Sequence, residues 1–407
     1  MKLEIRSLRP DEEQTFFETC EAAFGYAVTE EDVERFRRII SSDRMFAAFD
    51  EDVMIGTLGA FPFTFTVPGA EVPAGGVTMA GVLPSHRRRG ALTGLIKAQL
   101  LDARARGEPL AVLWASEGSI YARFGYGLAT RQCEMSIERD RAVFRDSPPQ
   151  QGRTRLITDD ESGKVLPDIY ERVRRTTPGM FVRTHSWWQA HTLSDPEHER
   201  RGGGPMFRVV WEIDGRAEGY ALYRLHGSWE EGMPASVLEV IEALGTSPVA
   251  TREIWRFLFG IDLVARVRTH FMPVHDPLFY MLTEPRRLRL MVKDGVWARI
   301  VDVRAALEAR TYATDGALTL GLRDALTPEN QGRWRVEVSD SRARVEPTDD
   351  PADLEMDISD LGSAYLGGVS FVELSGAGRV GEASPGKALQ GSLMFSGETL
   401  PWCPEVF

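Results

Sequence analysis

Three consecutive arginines and a glycine, Arg87-Arg88-Arg89-Gly90, stand where the chain passes from an apolar strand, Val77 to Leu83, into an amphipathic helix carrying Leu92, Leu95, Ile96, Gln99 and Ala103 at helical spacing. A helix entrance exposes unpaired N–H groups and the positive end of the macrodipole, so an anion gains there twice. Guanidinium groups beside it add charge-assisted bonds, and a glycine lets the backbone come close. The chemistry this pattern serves is the grip of a polyanion, with pyrophosphate the natural guest. The run alone would also serve as a solvated charged face.

The elements around it form a β-α-β unit. Gly107 and Pro109 stop the helix, and Leu110 to Ala115 is a continuous apolar run, as for a strand covered on both faces. Upstream, Leu3 to Arg6 reads as a strand, and Asp11 offers an N-cap to a helix with Phe16, Phe17, Cys20 and Phe24 on one side. A second helix carries Val33, Phe36, Ile39 and Ile40, and β-rich stretches follow at 45–49 and 53–67. From about 151 to 290 a similar rhythm recurs: a helix near 165–173, a hairpin over 207–225, a strand at 237–243, a helix at 251–259 and a strand at 264–271. At the equivalent turn this copy has Gly245-Thr246-Ser247-Pro248-Val249-Ala250, without arginine, so its ligand site reads as lost. Beyond about 300, one helix at 303–310, short alternating strands (317–322, 334–338, 343–347) and glycine-broken helices at 359–368 and 381–393 give a third, α+β unit. The expectation is a mixed α/β chain of three domains, 1–150, 151–295 and 296–407.

Composition narrows the partners. The chain has 407 residues, and 60 acidic against 48 basic side chains leave a net charge of -12, which disfavours nucleic acid and favours cationic small molecules. Cys20, Cys133 and Cys403 lie far apart without metal or disulfide spacing, and the 7 histidines show no ligand pattern, so no metal is expected. The start, Met1 to Arg6, lacks a signal peptide's apolar run, and no segment has the ~18 apolar residues of a membrane span; a cytoplasmic location is expected, although some families leave the cell without such signals.

The words Arg87-Arg88-Arg89-Gly90-Ala91 resemble motif A of the GNAT acetyltransferases, Arg/Gln-x-x-Gly-x-Gly/Ala, with Leu92 where a second small residue is usual. A dinucleotide loop of the Gly-x-Gly-x-x-Gly kind is absent. Ser116-Glu117-Gly118-Ser119-Ile120-Tyr121-Ala122-Arg123-Phe124-Gly125-Tyr126 resembles the GNAT segment after the fifth strand, Tyr-x-x-x-Gly-Phe/Tyr. The three-part layout, the words His86-Arg87-Arg88-Arg89-Gly90 and Ser116 to Tyr121, and an aromatic last residue are similar to the enhanced intracellular survival (Eis) family of aminoglycoside N-acetyltransferases. That family has two GNAT-like regions and a C-terminal domain similar to sterol carrier proteins, which Asp357 to Gly368 resembles.

The resemblance implies acetyl-CoA as co-substrate, a small-molecule amine as acceptor and a homo-oligomer, a hexamer in that family. It implies that Ala80, Gly81 and Val82 present backbone to the pantetheine arm, that Arg88, Arg89, Gly90, Ala91, Leu92 and Thr93 wrap the pyrophosphate, and that Ser116 and Glu117 flank the coenzyme. Tyr121 would be the general acid; a phenol of pKa about 10 is protonated at neutral pH and donates without retuning. The free carboxylate of Phe407 would be the base. At pKa about 3.5 an α-carboxylate is weak for that task, but it can bind the ammonium and relay its proton through water, and burial strengthens it. Leu400 to Phe407, apolar and stiffened by Pro401 and Pro404, reads as a docked end. Phe24, Tyr26 and Phe36 would wall the amine pocket or serve as core, and Glu405 is its candidate acid, because Val406 holds the penultimate place where the family has one. A protein-lysine acetyltransferase, or a non-enzymatic lipid carrier with vestigial GNAT regions, are the alternatives.

Overall fold

The computed structural model describes residues 3–146 and 148–407; Met1, Lys2 and Ser147, which fall within the expected first domain, lie outside the described residues. The first unit runs β1 (Leu3–Ser7), α1 (Glu13–Phe24), α2 (Glu30–Arg37), β2 (Met45–Asp50), β3 (Val53–Val67), β4 (Ala70–Val82), α3 (Ala91–Ala105), β5 (Leu110–Trp114), α4 (Gly118–Tyr121) and β6 (Gly127–Leu128). Helix α1 buries Phe16, Phe17 and Cys20 as one stripe and ends at Gly25, whose left-handed φ of 75° lets its N–H reach the Glu21 carbonyl. Asp11 is not the cap expected of it. It sits in a 3₁₀ turn over Pro10–Glu12, and Glu12 precedes the helix with its carboxylate engaged by Arg6. Strand β4 starts at Ala70, seven positions before the Val77 start expected, because Pro73, Gly75 and Gly76 interrupt the alternation by which a strand is recognised.

Two strands cross the expected divisions at 150 and 295. The first seven-stranded sheet has the order β1-β2-β3-β4-β5, then Val296–Ile300, then β6. The second seven-stranded sheet runs Met291–Asp294, Arg131–Glu138, Val264–Pro273, Ser236–Gly245, Arg216–His226, Phe207–Ile213 and Arg153–Leu156. Each copy thus gives one strand to the other: Val296 pairs with Trp114, and Ile137 with Val267. The two halves are sewn together by backbone hydrogen bonds as well as packed. Segment 179–182 extends the seam, with Gly179 and Val182 donating to Thr66 and Thr64 of β3, and Thr66 donating to Met180.

The third unit is a five-stranded sheet, Arg342–Pro347, Gly332–Ser339, Gly316–Arg323, Leu354–Asp357 and Gly381–Glu382, with helices Val303–Ala309, Ile358–Ala364, Phe371–Gly376 and Lys387–Phe395. The region 381–393, expected as one broken helix, begins as an edge strand and becomes helical only at Lys387. This unit shares one buried apolar cluster with the first domain, running from Phe16 and Phe63 to Leu361 and Phe395. Arg299, on the inserted strand and wholly buried, donates to both oxygens of Asp324 at 2.8 and 2.7 Å. Among the described residues no helix is long and apolar enough to cross a membrane.

Candidate active site

The site begins with a ladder that opens. Strand β4 pairs in parallel with β5 only from Ala74–Leu110 to Val77–Leu113. At the next position β4 bulges: Thr78 faces Gly59 but Gly81 faces Thr57, and Met79 takes a left-handed φ of 50° with its carbonyl tied by the Thr57 hydroxyl at 2.8 Å. Strand β5 meanwhile keeps its other neighbour, pairing from Leu110–Ile300 to Trp114–Val296 along its far edge. Gly81 and Val82 therefore keep β3 on one side, and the stretch Ala80 to Val82 faces no strand on the other. Backbone donors and acceptors line the gap, which suits an extended amide-bearing ligand.

At the end of that gap lies the helix entrance. Gly90, at φ 89°, precedes α3, where a side chain would be strained, and no side chain caps the helix. Its carbonyl takes the first helical bond, from Gly94, which leaves the N–H groups of Ala91, Leu92 and Thr93 directed outward. Arg87, Arg88 and Arg89 are exposed, and among the described residues none forms an ion pair with a carboxylate. Ser116 and Glu117 stand exposed just past β5.

The equivalent entrance of the second copy is closed. Ser247 caps the helix Pro248–Gly260, accepting from Ala250 at 3.2 Å; the Glu218 carbonyl accepts the Thr246 N–H, and its carboxylate, paired with Arg172 at 2.7 Å, accepts the Thr246 hydroxyl. One helix donor is spent on the cap and the turn carries no arginine, so little is left to hold a phosphate.

Tyr121 ends α4, only 6% exposed, edge-on to Tyr126 at 6.0 Å and in the apolar cluster beneath α3 with Leu95 and Ile96. Burial raises its pKa, with Ser116 opposing, so the phenol keeps its proton.

On the opposite face of the sheet, under α1 and α2, lies a cleft of about 990 Å³ lined by Tyr26, Phe36, Phe61, Thr78, Trp114 and Phe407, among others. The chain's end is docked there: Pro401 to Glu405 are buried, and the Phe407 ring meets Phe63 at 4.8 Å and Phe181 at 5.7 Å, both edge-on. Glu405 accepts from Arg183 Nε at 2.6 Å and Trp187 Nε1 at 2.9 Å, and faces His191 Nδ1 at 3.1 Å. Burial by itself would raise the Glu405 pKa, but the Arg183 charge and the His191 contact outweigh it and hold it at about 2.

The structure thus gathers Tyr26, Phe36, Glu405 and Phe407 in one cleft. Phe24 is not among the residues lining it; its ring lies over Gly81, where a Cβ would come within 2.9 Å of Phe24 Cε2, and against Tyr26 at 5.9 Å. Thr78, Trp114, Phe61, Arg183, Trp187 and His191 were not expected in the site. They carry no motif and come from segments up to 130 residues apart, from Phe61 to His191, and the adjacent tryptophans Trp187-Trp188 were the only local signal. Among the described residues, one group has ligand types close enough for a metal, Asp32, His198 and Glu199, but the Arg35 guanidinium already bridges both carboxylates.

Comparison with known proteins agrees with this fold. Residues 4–129 and 179–300 each match a family model of the acetyltransferase (GNAT) domain, and residues 303–404 match a sterol carrier protein domain. An uncharacterized N-acetyltransferase of Streptomyces avermitilis is 40% identical over the whole of both chains. N-acetyltransferase Eis of Mycobacterium tuberculosis is 32% identical over 93% of each chain. The crystal structure of Eis1 from Mycobacterium abscessus superposes with a TM-score of 0.87 at 33% identity, covering 99% of this chain and 100% of that one. Fold and site define an N-acetyltransferase of the GNAT class, a class that uses acetyl-CoA as co-substrate. Within it, the chain belongs to the Eis family.

The Glu405 carboxylate carries a pH prediction. Its folded pKa, about 2, lies below the ordinary 4.5, so its contribution to stability is fully present above pH 4.5 and is lost as pH falls towards 2. Thermal melts should show Glu405→Gln well below the parent at pH 7, with the gap narrowing by pH 3.5; an unchanged gap would contradict the assignment.

Proposed function

We propose that this enzyme transfers the acetyl group of acetyl-CoA directly to a primary amine of a cationic small molecule of the aminoglycoside kind. The observation that carries the reading is the opening of the β4–β5 ladder, with a free helix entrance on one face of the sheet and an aromatic cleft lined by Phe407 on the other.

In this reading Ala80, Gly81 and Val82 hydrogen-bond the pantetheine amides. Arg88, Arg89, Gly90 and the amides of Ala91, Leu92 and Thr93 hold the diphosphate, with Ser116 and Glu117 flanking the thioester end. The Phe407 carboxylate binds the ammonium and accepts its proton through water; the freed nitrogen forms a bond to the acetyl carbon as the carbon–sulfur bond breaks, and its second proton leaves to solvent. Tyr121, kept protonated by burial, gives its proton to the departing thiolate and regains one from solvent. Holding both reactants across one gap supplies much of the rate. Tyr26, Phe36, Phe61 and Trp114 offer faces to a sugar ring, and Glu134 and Glu239, paired with Lys293 and Arg268, also line the cleft.

The lipid-carrier reading finds less support. Arg310 lies wholly buried in the third unit, donating to the carbonyls of Tyr365 and Phe395, so a charge and its partners occupy the middle of that core.

Thiol release from acetyl-CoA should be rapid with kanamycin-like polyamines and slow with lysine peptides; the reverse order would move the assignment to protein lysines, and no release with any amine would remove it. Replacing Tyr121 with Phe should lower kcat by about 10²-fold or more while calorimetry finds acetyl-CoA affinity nearly unchanged. Unaltered turnover would exclude the phenol as the acid.

A further inference from the structure

We infer that Glu405 and Arg183 are positioning residues: the second GNAT-like domain, which has no open cofactor entrance of its own, clamps the tail through Glu405 and so sets where the Phe407 carboxylate stands. The inference rests on the reading of that carboxylate as the base.

Glu405 lies two residues before the chain's end, and all four donors around it come from one stretch of the second domain. Oε1 receives Arg183 Nε at 2.6 Å and Trp187 Nε1 at 2.9 Å; Oε2 faces His191 Nδ1 at 3.1 Å and receives the Thr192 hydroxyl at 3.3 Å. His191 and Thr192 belong to a π-helical turn, Trp188–Thr192, a departure from regular helix often found at functional sites.

Arg183 is itself immobile. Its side chain is wholly buried, its two terminal nitrogens donate to Glu242 at 3.0 and 2.5 Å, and its guanidinium lies 3.9 Å over the Tyr170 ring and 4.8 Å over that of Trp188. Glu242 also accepts from the Tyr220 hydroxyl. The guanidinium is thus a fixed post between two carboxylates, one of the domain and one of the tail.

Backbone contacts continue the clamp. Trp402 donates to the Pro178 carbonyl at 2.8 Å, and Gly179, at φ 98°, leaves no room for a side chain, since a Cβ would stand 2.8 Å from the Trp402 oxygen. Beyond Glu405, Val406 points to solvent and the Phe407 ring wedges against Phe63 and Phe181. The ring's apolar contacts fix little direction; the charged pair sets the register along the chain.

A direct role for Glu405 in binding the amine is disfavoured by the same geometry. Both its oxygens are engaged, Oε1 by the wholly buried Arg183 and Oε2 by His191 and Thr192, so an incoming ammonium would have to displace a partner already in place.

The test uses full-length enzyme with Glu405→Ala and Glu405→Gln, exposed to a carboxypeptidase while mass spectrometry follows release of Phe407 and Val406. Circular dichroism and acetyl-CoA calorimetry serve as controls. The alanine variant should lose Phe407 about tenfold faster or more, the glutamine variant at an intermediate rate, with kcat falling in the same order and acetyl-CoA affinity unchanged. Should the alanine variant fail to fold, glutamine and His191→Ala carry the same comparison. A tail still protected in a folded variant overturns the clamp, and a rise in the amine KM alone, with the tail protected, assigns Glu405 to substrate contact instead. A tail released with kcat intact keeps the clamp but removes the catalytic role of the Phe407 carboxylate, and with it the positioning role.

Discussion

One broken ladder organises this molecule. If β4 and β5 stayed paired beyond Val77 and Leu113, the sheet would be a closed wall between its two faces, and neither backbone amides nor a passage between faces would be available. The bulge at Met79 and Ala80 turns β4 away, while β5 stays paired along its far edge with the inserted strand Val296–Ile300. The cause of the opening is local, yet the strand that flanks β5 is supplied from nearly two hundred residues downstream.

The two GNAT-like halves divide their labour in a way that follows from their turns. In the first, an uncapped helix start and three arginines that, among the described residues, have no carboxylate partner leave donors to be used by a ligand. In the second, Ser247 uses the equivalent donor, and the turn beside it is tied to Glu218 and carries no arginine. Freed from binding a cofactor, the second half contributes the aromatic and charged surface on which the tail rests, while the third unit, fused to the first through a common core, carries the chain back to it. The strand exchange makes this possible, because halves joined by hydrogen bonds on both sheets hold a shared cleft more rigidly than halves that only touch.

Much of this was legible in the sequence. The basic turn, the helix after it and the buried strand beyond were each announced by local patterns, and the resemblance of Arg87 to Ala91 and of Ser116 to Tyr126 to GNAT words pointed to the right class. Local rules failed where the cause was distant. Nothing near Val296 or Arg131 announces that each strand crosses into the other half, since both satisfy the same apolar alternation in either sheet. The cap expected at Asp11 moved because Pro10 began a tight turn and Arg6 claimed Glu12. Glu405 was visible as an acid near the end of the chain, but its four partners, from Arg183 to Thr192, share no motif with it. Phe24 satisfied the aromatic pattern of a pocket wall and instead covers the backbone at Gly81.

The central claim is that the opened edge of β4 and the entrance of α3 together receive acetyl-CoA. Amide hydrogen–deuterium exchange with and without saturating acetyl-CoA tests it most directly. Slowed exchange at Ala80 to Val82 and at Ala91 to Thr93, with the turn from Gly245 to Ala250 unaffected, is the predicted result. Protection that spares both first-domain segments, or that appears at the second domain's turn instead, would contradict it.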